Sequence, residues 1–435
     1  MTIAVLDTGI YAEHEALRSY SAKNFSAKIV GWYDAFFPEN LTPYDMDLKG
    51  HGTHVASIAA AHNLFNGTAP GANLVAINIY NLTISGPDAT DESVERAINW
   101  TVENRLTYRI RVASMSFGRD PFLSESDPLT NIVTRLVEVG VVVVVSAGNE
   151  GTHGEKSITA PGDNPYAITV GAIDDGDAVY SLSGQGPTRQ GNSKPDVVAP
   201  GVRIEAAGVA SPTANSTLTG TSMAVPHVSG AVAILLQANA TLTPAQVKMF
   251  LCATAYKTRN NGQLSDNIEG YGKIQIQSAL EALQMKWDLE SWPTVTYDLA
   301  KQETSVWARQ VCLKPSQIYS IRAVGANGGK ASVTVFQMTP DSFGRPHLIA
   351  TNIGSHLNRI AFQVQESQDA LIVVKLNPGS IDDTFVIELL EDPLYLGLVC
   401  FAIGSTAWGI TTVLAWVKLN SHKKTIVRKK RSLFI

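Results

Sequence analysis

Residues 141–151 read VVVVVSAGNEG. Five consecutive valines offer no alternation of apolar and polar side chains, so a strand made from them is buried on both faces. That is the mark of a parallel sheet with helices on each side. The run ends in small and turn-forming residues, which places Asn149 on the loop leaving the strand. Outward from it, the same punctuation repeats. TIAVL (2–6) precedes HVASIAAA (54–61), LVAINIY (74–80) precedes SVERAINWTVEN (93–104), and VASMSF (112–117) precedes LTNIVTRLVEV (129–139). Alternating short apolar runs and helical patterns predict an α/β unit over residues 1–285. It closes with helices around Ser222 to Ala238 and Pro244 to Ala255, then GYGKIQIQSALEAL.

After Trp287 the period changes. SVWARQVCL, IYSIRAV, KASVTVFQM, RIAFQV, ALIVVKL and TFVIELL are short runs of strand character separated by Gly, Pro, Asn and Asp turns, which predicts an antiparallel β-sandwich over 288–390. Between Asp392 and Lys418, the residues 393–417 carry no charged side chain. At about 1.5 Å per residue such a helix spans a bilayer. Tyr395 and Trp416 sit near its ends as interfacial aromatics, and 418–435 is a basic tail containing Lys418, Lys423, Lys424 and Arg428 to Arg431. The positive-inside rule then puts the tail in the cytoplasm and all that precedes it outside.

An outside location agrees with seven Asn-X-Ser/Thr sequons, at Asn24, Asn40, Asn66, Asn81, Asn99, Asn215 and Asn239. It also calls for an export signal, and MTIAVLDTGI has neither a basic start nor an apolar h-region. The expectation is therefore that a longer N-terminal segment precedes Met1, and that the chain as written is unstable. With 45% hydrophobic and 17% charged residues the sequence can bury a large core, and a net charge of -5 gives no electrostatic footprint for nucleic acid. Cys252, Cys312 and Cys400 form neither a disulfide framework nor a metal-ligand pair.

Four segments carry candidate chemistry. Asp7 ends the apolar strand IAVLD, where open α/β sheets build ligand crevices, though an Asp before Thr-Gly also serves as a turn former. His51 lies in GHGTHVASIAA at the start of a small-residue helix, with His54 read as packing. Ser222 lies in a Gly-Thr-Ser turn that leads into a helix predicted to hold Pro226 in its first turn. A hydroxyl there is placed where developing negative charge is favoured, or it is only an N-cap. Asn149 could donate its side-chain amide to an oxyanion.

Taken together and in this order, DTG (7–9), HGTH (51–54), SAGN (146–149) and GTSMAVPH (220–227) resemble the subtilisin-type serine peptidases. KPDVVAPG (194–201) and TAPGANLVAINI (68–79) add to the likeness, which runs over residues 2–285. The resemblance implies a catalytic triad of Asp7, His51 and Ser222 with Asn149 in the oxyanion hole. It implies substrate-binding segments at Ser116, Phe117 and Gly118 and at Ser146, Ala147 and Gly148, with TAPGDNP (159–165) near the pocket floor. Phe117 and Arg119 could shape pockets or serve only as core and rim. The implied function is a membrane-anchored, outward-facing serine endopeptidase, monomeric, whose partner is a protein or peptide in extended conformation. The competing reading is a catalytically inactive surface protein that uses the same scaffold to bind. No cofactor and no metal site are expected. The linker HNLFNGTAPGA (62–72) is shorter than the family's calcium loop, so calcium is not expected there; Asp45 and Asp47 could hold an ion elsewhere but are read as solvated surface acids.

Overall fold

Val142–Ser146 forms a strand with every residue buried. Val142 and Val144 join one apolar layer, while Val141, Val143 and Val145 join the other. The computed structural model describes residues 1–389 except 19–27, 40–46, 48, 84–85, 120–126, 260–261, 290–293, 299–304, 326–330, 354–358 and 378–383. The proposed transmembrane segment 393–417 with Cys400, its basic tail, and Asp45 lie outside the described residues.

In chain order the first unit contains β1 (Thr2–Asp7), β2 (Ile29–Asp34), α1 (His51–Ala60), β3 (Asn73–Asn78), the hairpin β4 (Tyr80–Thr83) and β5 (Gly86–Ala89), and α2 (Asp91–Asn104). There follow β6 (Ile110–Met115), the short helices α3 (Pro128–Ile132) and α4 (Thr134–Glu138), β7 (Val142–Ser146), β8 (Ile168–Ile173) and β9 (Val197–Pro200). The hairpin β10 (Ile204–Ala207) and β11 (Asn215–Leu218) leads into α5 (Thr221–Ala238), α6 (Pro244–Thr254) and α7 (Ile276–Gln284). Seven strands form one sheet in the order β2-β3-β1-β6-β7-β8-β9, every pairing in it parallel. Helices α1, α5, α6 and α7 cover one face and α2 to α4 the other. The order reverses beside β1, so the carboxyl ends of β1 and β6 flank a topological switch point, where such sheets open a crevice.

Local sequence explains the helix ends. Thr90 and Ser93 cap α2 reciprocally, each side chain accepting from the other's backbone N–H at 3.1 Å. Thr243 and Gln246 do the same for α6, with Pro244 in its first turn. Among the described residues one helix, α5, is long and apolar enough to cross a membrane. It is the central core helix, packed against α1, β6, β7, β8 and β9.

The antiparallel sandwich is present. Its strands are β12 (Thr294–Asp298), β13 (Val306–Leu313), β14 (Ile318–Gly325), β15 (Ala331–Gln337), β16 (Leu348–Thr351), β17 (Arg359–Gln363), β18 (Gln368–Leu376) and β19 (Thr384–Leu389). They make two sheets, β12-β19-β14-β17 and β13-β18-β15-β16. Alternation along β13 has two destinations. Trp307, Val311 and Leu313 enter the sandwich interior, whereas Val306 and Ala308 join the core of the α/β unit with Phe336, Leu371 and Val373. One sheet is thus covered on both faces, and the two units share a continuous apolar core. Ser278 Oγ donates to Val306 O at 2.8 Å and Arg309 Nη1 pairs with Glu281 Oε2 at 2.6 Å across the same junction.

Candidate active site

Three helix or strand ends converge on the crevice. Asp7 is the last residue of β1 and 1% exposed. Its Oδ1 accepts from Thr8 N at 2.8 Å and lies 2.7 Å from Nδ1 of His51, the first residue of α1. A buried carboxylate against Nδ1 fixes the imidazole plane and leaves Nε2 for other work. Burial lowers the His51 pKa, but the Asp7 charge, the hydrogen bond to it and the Asp47 charge outweigh that effect, so the net shift is upward.

Ser222 is the second residue of α5. Gly220 occupies the N-cap, and the Ser222 hydroxyl does not cap the helix; it donates to Ser116 O at 3.0 Å. Ser116 Oγ returns a bond to Ser222 O at 2.9 Å, so the two serines clasp each other. Pro226 makes this possible. It lies inside α5, in the second turn and not the first, and a proline four residues on has no N–H to offer the Ser222 carbonyl. Asn149 turns its side chain to the same place. Its Oδ1 accepts from Thr221 N at 3.0 Å and Thr221 Oγ1 at 3.2 Å, which leaves Nδ2 as its donor beside Gly220.

Asp47 differs from the sequence expectation. It is 2% exposed and no surface acid. Oδ1 accepts from Thr8 Oγ1 (2.8 Å), Lys49 N (3.2 Å) and Gly50 N (2.9 Å), and Oδ2 from Thr53 N (2.7 Å) and Thr53 Oγ1 (2.9 Å). Burial pushes its carboxyl up, against those hydrogen bonds. The residue ties the strand end carrying Asp7 to the helix start carrying His51, and its oxygens are fully engaged by donors. Sequence reasoning missed it because the two threonines that satisfy it come from separate segments. His54 packs as expected, Nε2 lying 3.1 Å from both Ile204 O and Ser216 O, and burial lowers its pKa. His227 is likewise enclosed, pushed down to about 4 by burial.

The expected substrate segments lie side by side. Ser116, Phe117 and Gly118 follow β6, while Ser146 ends β7 and runs into Ala147 and Gly148. Ser146 Oγ donates to Phe117 O at 3.0 Å, Thr159 N to Ala147 O at 3.1 Å, and Arg119 N to Ala160 O at 2.9 Å. Thr159 stands between the two walls. A Cβ on Gly118 would lie 2.2 Å from Thr159 Oγ1 and one on Gly148 2.4 Å from Thr159 Cγ2. Its hydroxyl is buried without a hydrogen-bond partner. Phe117 packs partly into the core, and Arg119 forms ion pairs with Asp91 and Asp127, a rim role for that side chain. Among the described residues no cluster of His, Cys, Asp or Glu is arranged to hold a metal ion.

The Subtilase family (Peptidase S8) model matches residues 1–272. The chain belongs to the subtilase family. This subtilase is 34% identical over 310 residues to the serine protease AprX of Bacillus subtilis (strain 168), covering 64% of the chain and 66% of AprX. It is 34% identical over 283 residues to subtilisin E of the same organism, covering 64% of the chain and 65% of that protein. It therefore spans just under two thirds of these relatives' lengths. It is also 33% identical to subtilisin of Bacillus pumilus over 64% of the chain and 90% of that protein. Among solved structures, the S41 psychrophilic protease superposes with a TM-score of 0.55 at 26% identity, over 63% of the chain and 91% of the protease. The prenylagaramide maturation protease PagA gives 0.51 at 25%, over 65% and 92%.

Proposed function

We propose that this subtilase is a serine endopeptidase that cleaves peptide bonds in extended segments of proteins or peptides outside the cell. The observation that carries the reading is the 2.7 Å bond from a buried Asp7 to the leading histidine of α1, a helix packed against α5, which holds Ser222 in its first turn. Ser222 Oγ attacks the scissile carbonyl carbon while its proton passes to His51 Nε2. Asp7 holds the ring and stabilises the imidazolium. The tetrahedral oxyanion accepts from the Ser222 N–H, at a helix N-terminus, and from Asn149 Nδ2. Collapse breaks the C–N bond, His51 returns the proton to the leaving amine, and water then hydrolyses the acyl-serine by the same relay. The substrate backbone pairs with residues 116–118, which demands an extended strand. Its side chain enters between 116–118 and 146–148, where Thr159 leaves room for a small one. No cofactor is required, the protein acts as a monomer, and the apolar segment 393–417 anchors it with the basic tail in the cytoplasm.

Labelling of the membrane-bound protein by a fluorophosphonate, with the modified peptide mapped by mass, tests this without a known substrate. Label on Ser222 that disappears in a folded Ser222→Ala variant is the expected result. An unlabelled, correctly folded wild type would favour the inactive binding protein.

A further inference from the structure

We infer that the β-sandwich sets the geometry of the substrate pocket through one loop, with Phe343 and Gly344 as positioning residues. The inference rests on the peptidase reading above. The loop joins β15 to β16 and is closed by bonds of its own. Asp341 Oδ1 accepts from Phe343 N (2.9 Å) and Arg345 N (2.8 Å), Asp341 Oδ2 pairs with Arg345 Nε (2.8 Å), and Gly344 N donates to Asp341 O (3.0 Å). The Arg345 guanidinium lies 5.1 Å over the Phe343 ring.

It touches the pocket loop by two routes. The Phe343 ring packs 5.6 Å from Tyr166 at 58°, and Tyr166 directly follows the 159–165 segment. Gly344, with φ +79, approaches α6 so closely that a Cβ would lie 3.0 Å from Ala245 Cα and 3.3 Å from Lys248 Cδ. Lys248 Nζ in turn holds Pro165 O at 2.8 Å and Ala167 O at 3.0 Å, and is anchored on Asp196 Oδ1 at 2.9 Å. Lys194 Nζ secures Ala167 O from the other side at 2.9 Å. The first two residues of the loop bond to the site: Thr159 N to Ala147 O, two residues before Asn149, and Ala160 O to Arg119 N, three residues after the Ser116 that clasps Ser222. A shift at Phe343 or Gly344 therefore reaches the wall around Thr159 through packed and hydrogen-bonded groups, without contact between the sandwich and the reacting atoms.

The test uses the full chain as wild type, Phe343→Ala, Phe343→Tyr and Gly344→Ala. It reads steady-state kinetics on extended peptides, the rate of fluorophosphonate labelling at Ser222, and hydrogen exchange across 158–167. For Phe343→Ala the expected result is a KM raised about two- to tenfold, the span an aromatic pair of this kind supplies. Labelling and kcat should stay within twofold, with faster exchange in 158–167 and none at α1; Phe343→Tyr restores KM. Gly344→Ala should act in the same direction as Phe343→Ala. An unchanged KM with unchanged exchange in folded Phe343→Ala overturns the inference, as does a parallel loss of kcat, labelling and protection everywhere. If the wild type neither labels nor turns over, the peptidase reading fails. The exchange comparison then still decides whether the sandwich holds this loop.

Discussion

At the residue scale, the Asp7–His51 pair sets how the site responds to pH. A general base works when neutral, and the net upward shift at His51 means that a higher pH is needed to free it. kcat/KM is expected to rise with pH through an inflection above the ordinary histidine value of about 6.5. Asp7→Asn should move that inflection down while lowering the plateau by orders of magnitude; a pH–rate profile of both proteins checks it. Thr159 offers a second handle. Thr159→Gly clears the space between Gly118 and Gly148, and cleavage after large side chains should rise about tenfold relative to cleavage after alanine, as read by a peptide panel. The motif residues Asp7, His51, Asn149 and Ser222 were legible in the sequence because each sits at an element end that local pattern marks. Asp47 and the Ser116–Ser222 clasp were not, because their partners are assembled only by the fold.

At the element scale, α5 carries a local conflict that serves the site. A proline inside a helix costs about 3 kcal/mol, and here it frees the Ser222 carbonyl for Ser116. Pro226→Ala is expected to raise the unfolding free energy by about 1–3 kcal/mol in a denaturant titration. The restored N–H would compete for Ser222 O and slow Ser222 labelling. The alternation of strands and helices along the first unit could be read from apolar runs alone, since a buried parallel strand leaves no choice of face. The sandwich gave its class by period but not its docking. Val306 and Ala308 look like ordinary inward residues of β13, and only the presence of α6 and α7 beside them shows that both faces are covered.

At the scale of the whole molecule, two buried lysines lie against backbone carbonyls. Lys28 Nζ donates to Pro70 O, and Lys375 Nζ, from the sandwich, donates to Ala255 O at the end of α6. Burial pushes them down to about 8 and about 7 from an ordinary 10.5. Between those values and 10.5 the unfolded chain binds more protons than the folded one, so stability rises with pH across that window and is lowest below it. Melting temperatures measured from pH 7 to 10 should increase, and Lys375→Met should flatten the trend. The junction between the units has a different import. Trp287 N donates to Gln310 O, Gln310 N to Met285 O, and the Gln310 amide to the carbonyls of Ala282 and Leu283, so the stretch from Ala282 to Trp287, which leads out of α7 toward the sandwich, is stitched to β13. A peptidase that requires a pliant, strand-like stretch would find none to grip between Ala282 and Trp287, so copies of the molecule would not sever one another at those residues.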